Sequence, residues 1–224
     1  MANPKSLVRA LREVAEKLGK AAVWNGSGLA VDAKRDNYVF ELLCYFTLGV
    51  IAADAGYALQ IEGTTAGWRG KVVARWPKGP GFKKKFSYLK LTSLSGSGPG
   101  FQLCPGIEIV DKHGKARAPD INLLNENASM TPGYADLLGC WDAKYSTHAS
   151  SPLRDEAVAD FIHTHQQLGS PIPPPWWVAV VKKPPYLRSG ILTNAQPSSE
   201  RNGALAENSI TETSNFPWSP ATRP

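Results

Sequence analysis

Between Asp136 and Tyr145 the chain places apolar side chains on both faces of any strand it can form. Leu137, Leu138, Cys140, Trp141 and Tyr145 occupy odd and even positions alike, and successive residues of a strand point to opposite faces. A strand of this kind belongs in the middle of a sheet, covered above and below. The chain must therefore build a layered domain around it. The run ends in Asp142-Ala143-Lys144. In an extended strand Asp142 and Lys144 share one face, while Trp141, Ala143 and Tyr145 share the other. Charges at the end of such a strand need compensation, because burying an unpaired ion costs several kcal/mol.

The surrounding pattern supplies candidate cover. Residues 5–20 read as a helix, with Leu7, Leu11, Val14, Ala15 and Leu18 at helical spacing and Lys and Arg on the remaining face. Asn25 to Gly28 is a loop. A second helix spans about 36–55, apolar on most sides and hence buried, with Gly56 as its stop. Residues 57–62 and 70–76 read as strands, and Pro77 to Gly81 breaks the pattern after them. Ser93 to Gly100 is a flexible Gly/Ser turn without the Lys-Ser/Thr ending of a phosphate loop. Strand candidates come next at 101–111, 118–124 and 136–145, then a helix from Asp155 to Leu168 and a short buried strand from Trp176 to Val181. This order predicts an α/β domain with a mixed central β-sheet flanked by helices. The expected division is an N-terminal helix and loop over 1–35, a core over 36–194 and a tail over 195–224. The tail is rich in Ser, Asn, Pro, Thr and Glu and is expected to be disordered.

Composition narrows the setting. At 224 residues the chain suits one domain with a full core. Its 25 basic and 19 acidic residues give a net charge of +6, a sign that suits a polyanionic partner. The cysteines Cys44, Cys104 and Cys140 lie in apolar runs without metal-ligand spacing, which predicts buried free thiols in a reducing cytoplasm. The apolar stretch Tyr38 to Ala53 is interrupted by Glu41 and too short to cross a bilayer comfortably. The amphipathic, basic N-terminus lacks the apolar block of a signal peptide. A cytoplasmic protein without a membrane is the expectation.

Two further acids could join Asp142 and Lys144. Pro119-Asp120 opens the strand candidate 118–124, and 142 − 120 leaves 22 residues, enough for a strand, a turn through Asn125 to Gly133 and a return strand. Taken alone, Asp120 reads equally as an ordinary turn aspartate, and the Asp142/Lys144 pair as a surface salt bridge. Glu41 is a lone carboxylate on a helix apolar nearly all round, where it needs a partner or a ligand. A metal or water, Arg35, or a surface position would each answer that need. Lys83, Lys84 and Lys85, between Phe82 and Phe86, suit contact with a nucleic-acid backbone or, equally, a solvated hairpin tip. His163 and His165 read as surface residues, and Trp176-Trp177 as core.

Glu41 on an early helix, Pro119-Asp120, and Asp142-Ala143-Lys144 followed by a helix containing Gln166 resemble the PD-(D/E)xK nuclease superfamily over roughly residues 36–185. The resemblance implies a restriction-endonuclease-like fold and a Mg²⁺-dependent endonuclease acting on DNA, with Mn²⁺ able to substitute, in a restriction, defence or mobile-element context. It implies that Asp120 and Asp142 ligate the metal, with the Ala143 carbonyl and Glu41 as further ligands. Lys144 would orient or help deprotonate the attacking water, and Gln166 or Gln167 would be an auxiliary polar residue. Asp rather than Glu at 142 departs from the commoner pattern and shortens that ligand by one methylene. The same fold is also compatible with a ribonuclease or a non-catalytic nucleic-acid-binding subunit. No recognition domain is evident, so specificity would come from a partner subunit, a homo-oligomer or the first 35 residues.

Overall fold

A computed structural model describes residues 4–21, 36–66, 72–77, 79–96, 98–144, 155–168, 178–180 and 190–193. In chain order the elements are α1 (Pro4–Ala21), α2 (Asp36–Asp54), β1 (Tyr57–Glu62), β2 (Thr65–Ala66), β3 (Val72–Val73), β4 (Tyr88–Ser93), β5 (Phe101–Pro105), β6 (Ile109–Val110), β7 (Ala116–Arg117), β8 (Ile121–Asn125), β9 (Leu137–Lys144), α3 (Asp155–Leu168), β10 (Val178–Val180) and β11 (Gly190–Thr193). The fold is mixed α/β, as the order of elements predicts. Seven strands form one sheet in the order β1-β4-β5-β8-β9-β11-β10. The first five pair antiparallel. β11 joins β9 in parallel, and β10 joins β11 in parallel.

β9 is central, as its two-faced apolar pattern requires, and neighbouring residues feed separate cores. Leu103, Leu123 and Trp141 pack into a large cluster with α1 and α2. Cys104, Leu124 and Cys140, one residue on or back, pack into a second cluster with Phe161 and Leu168 of α3. α1 contributes Leu11, Ala15 and Leu18 to the large cluster, while Arg9, Arg12, Glu13, Glu16 and Lys17 stay exposed. The large core therefore takes in the N-terminal helix. Gly49 permits this closeness: an added Cβ would meet Leu89 Cδ1 at 2.8 Å and Leu18 Cδ1 at 2.9 Å. Gly56, at φ 92, turns the chain out of α2 in a conformation that favours glycine. Among the described residues, Asn37–Asp54 is long and apolar enough to cross a membrane, but 61% of it is buried inside the protein, as befits a core helix.

Tyr45 fastens α2 to the sheet. Its hydroxyl donates to the Leu103 carbonyl at 3.0 Å and accepts from the Leu89 N–H at 3.0 Å, bridging β5 and β4. Tyr45→Phe leaves both buried groups unpaired and is expected to cost about 1–3 kcal/mol. Urea unfolding measures this, and a change below about 0.5 kcal/mol would make the bridge incidental.

Several elements differ from the sequence pattern. The run 101–111 is not one strand, because Gly106 at φ 42 turns the chain between β5 and β6. Among the described residues of 70–76, Val72–Val73 form a strand, and β4 and β11 arise where no strand is expected. The cysteines are free and buried, as expected. Residues 195–224, Trp68 and Trp176-Trp177 lie outside the described residues.

Candidate active site

The β8–β9 ladder pairs Ile121 with Trp141, which sets Asp120 and Asp142 against each other one residue further along. The two acids interlock through the backbone. The Asp120 N–H donates to Asp142 Oδ1 at 3.4 Å, and the Ala143 N–H donates to Asp120 Oδ2 at 2.7 Å. The Gly106 N–H holds the Asp120 carbonyl at 2.7 Å. Asn122, two residues on, is fully buried and donates from Nδ2 to the Pro119 carbonyl at 3.1 Å, pinning the turn that presents Asp120. Pattern reading overlooked Asn122, although its i+2 spacing from Asp120 was the available signal. Lys144 Nζ lies 2.8 Å from Asp142 Oδ2. Trp141 and Ala143 are buried in the large core, so the expected split of β9 into charged and apolar faces holds.

Glu41 reaches the same place from α2. It shares with Asp120 the lining of an open cleft of about 420 Å³, together with Asn37, Tyr38, Pro80 and Gly106. Four residues spread from 41 to 144 thus come into one electrostatic neighbourhood. Burial, then the charges of Asp142 and Glu41, push the Asp120 carboxyl up to about 8, against the opposing pull of Lys144 and the Ala143 N–H. Burial also raises Glu41; Lys144 opposes this shift and Asp142 adds to it. For Lys144, burial works to lower the pKa, but Asp142, Asp120 and Glu41 outweigh it and hold the ammonium above its usual value. These acids thus favour the charged form of Lys144.

Asp120 couples this cluster to stability. Its unfolded pKa is about 3.9, so between about pH 4 and its folded value near 8 the folded state binds more protons than the unfolded state. Its contribution is full below about pH 4 and is lost as pH rises through about 8. In EDTA the melting temperature of Asp120→Asn is expected to fall less than that of the parent across this window. Parallel pH profiles for the two proteins would remove Asp120 as the cause.

Two expected site residues are corrected. Gln166 is exposed on the same outer stripe of α3 as Ala159 and His163, while Phe161 and Leu168 turn inward to the second core. Helical spacing thus aims it away from the sheet. Lys83 is 1% exposed and faces no solvent. Its Nζ donates to Gln102 Oε1, to the Ala128 carbonyl at 2.9 Å and to the Ser129 carbonyl at 3.1 Å. It is a structural cation under the loop joining β8 to β9. Lys84 and Lys85 are exposed, as a phosphate contact requires. The run forms a single 3₁₀ turn, Lys83–Lys85, rather than a hairpin tip. His163 is exposed as expected, whereas His165 is buried against Phe161, and burial lowers its pKa.

Among the described residues, no three His, Cys, Asp or Glu side chains are arranged to close on one metal ion. No protein-family model matches the chain. No curated protein and no solved structure matches it either.

Proposed function

We propose that this chain is a Mg²⁺-dependent endonuclease of the PD-(D/E)xK kind, hydrolysing DNA phosphodiester bonds in a restriction, defence or mobile-element setting. The interlock of Asp120 and Asp142 beside Lys144 carries this reading. The restriction-endonuclease-like fold is part of the same proposal, supported by a central strand pair bearing the acids and a packed helix bearing Glu41.

The donor chemistry fits a divalent cation. Three carboxylates (Glu41, Asp120, Asp142) against the single ammonium of Lys144 leave a formal charge of −3 + 1 = −2 when all are ionised. Mg²⁺ takes hard oxygens and keeps several waters, so two carboxylates suffice. Asp120 and Asp142 would hold it, with the Ala143 carbonyl as a further oxygen, Glu41 acting through a water, and Mn²⁺ as a substitute. When bound, such an ion supplies Lewis acidity at a phosphoryl oxygen and a water of lowered pKa. The chain itself supplies fixed charge. The backbone donors of Asp120 and Ala143 hold the two carboxylates in place before any substrate arrives. Lys144, kept protonated by the three acids, offers positive charge to a phosphate and a donor that orients water.

The 2.8 Å contact between Lys144 and Asp142 favours one second reading, a non-catalytic nucleic-acid-binding or assembly subunit in which the ion pair is structural. Incubation with plasmid DNA, linear DNA and RNA, in Mg²⁺ or EDTA, separates the readings. Mg²⁺-dependent cutting of the closed plasmid is the expected result. Cutting of RNA alone would make the protein a ribonuclease. An intact set of substrates in both Mg²⁺ and Mn²⁺ would favour the non-catalytic subunit, with specificity then a matter for its partners.

A further inference from the structure

We propose that Phe82, flanked by Lys84 and Lys85, is a stacking platform for an unpaired base of a strand entering the neighbouring cleft. The inference rests on the nuclease reading for the choice of polymer. Phe82 leaves 47% of its surface in water, a poor use of a large aromatic ring unless something covers it. Lys85 Nζ stands 5.3 Å from the centre of the ring and Lys84 Nζ 5.9 Å. Both ammonium groups lie over the ring as cation–π partners, so a stacking base takes their place on the π-face while the displaced, flexible cations neutralise the phosphates beside it.

The platform is fixed from below. The Lys85 N–H donates to the Phe82 carbonyl at 2.9 Å, and the Phe86 N–H to that of Lys83 at 3.0 Å, closing the turn. Lys83 drives its ammonium into the protein, and Arg75 Nη2 holds the Lys84 carbonyl at 3.4 Å. Three consecutive lysines thus divide into one buried anchor and two outward charges. The turn is also well placed. Pro77, Gly79 and Pro80 line the cleft that holds Glu41 and Asp120. Gly81 then pairs with Ile107, next to Gly106 of the cleft wall, and Phe82 is the next residue in the chain. A duplex keeps its bases stacked and has no free face to lend such a ring. A single strand or a frayed end has one, in DNA or RNA alike.

The test is fluorescence anisotropy of the full chain in EDTA, with labelled oligo-dT, oligo-rU and a blunt duplex of equal length. The parent is expected to prefer the single strands. Losing one stacked base should weaken strand binding of Phe82→Ala by about 5- to 150-fold, with duplex binding and the melting temperature nearly unchanged. Phe82→Trp should restore it. Lys84→Ala/Lys85→Ala should reduce the salt slope on single strands by up to about 1.4 units. A preference for rU over dT would assign the strand to RNA. Unchanged strand binding by Phe82→Ala, equal losses on strand and duplex, or no binding by the parent would each overturn the platform. If Phe82→Ala still cuts in Mg²⁺ and binds strands normally, the platform alone fails. If strand binding depends on Phe82 but nothing is cut, the nuclease reading alone fails.

Discussion

Asp142→Ala and Lys144→Ala are each expected to cut the cleavage rate by orders of magnitude, for separable reasons. Asp142→Ala removes a proposed metal ligand and the acceptor for the Asp120 N–H. Its residual rate should need far more Mg²⁺ to saturate. Lys144→Ala leaves every carboxylate in place and removes a cation that opposes their mutual repulsion. Mg²⁺ binding should hold or tighten, while the rate falls by about 10²–10³-fold, the usual weight of a preorganised charge facing the transition state. A Mg²⁺ titration of cleavage for each variant, with circular dichroism to confirm folding, resolves the two effects. A folded Lys144→Ala protein that cuts at the parental rate would reduce Lys144 to a structural role.

Lys83→Met should be the most damaging change to stability within the lysine run. The substitution keeps an unbranched apolar stem but removes the donor from Gln102 Oε1 and from the Ala128 and Ser129 carbonyls. A loss of about 2–4 kcal/mol is expected, since several buried acceptors lose their partner together. Lys84→Met and Lys85→Met, at exposed positions, should change stability by less than about 0.5 kcal/mol. Denaturant melts of the three single variants make the comparison, and equal effects would deny Lys83 its anchoring role. Loosening this loop should also disturb the relation of β8 to β9, so Lys83→Met should lose strand cleavage more steeply with temperature than the parent.

The features legible directly from residues were local. The three α-helices, the termination of α2 at Gly56 and the central place of β9 come from spacing and from apolar side chains on both faces. The i, i+2 rule separated Asp142 and Lys144 from Trp141 and Ala143, and the 22-residue interval brought Asp120 to its partner strand. The features that escaped depended on neighbours. β4 does alternate, with Leu89 and Leu91 inward and Lys90 between them, but the adjacent lysine run and the Gly/Ser turn hid it. β11 has only four residues, and its place beside β9 comes from a long-range parallel pairing with no local signature. Lys83, Lys84 and Lys85 carry the same side chain. Only the acceptors on Gln102, Ala128 and Ser129, drawn from elsewhere in the chain, single out Lys83. Gln166 was implied by the family resemblance, on the helix that follows Lys144, and the rotation of α3 leaves it on the exposed side.

The position of β11 has a consequence for synthesis. Its pairing with β9 ends at Thr193 opposite Lys144, so 193 − 144 = 49 residues must emerge after Lys144 before that side of β9 is closed. At about 5–20 residues per second, β9 spends roughly 2–10 s on the ribosome with an open edge. An open edge on an apolar strand is a template for a second chain. The strand that carries Asp142 and Lys144 is thus also the place where a nascent or truncated chain is most exposed to mispairing. Chains ending before Gly190 should accumulate as aggregates, joined through the same ladder that β11 covers in the finished protein.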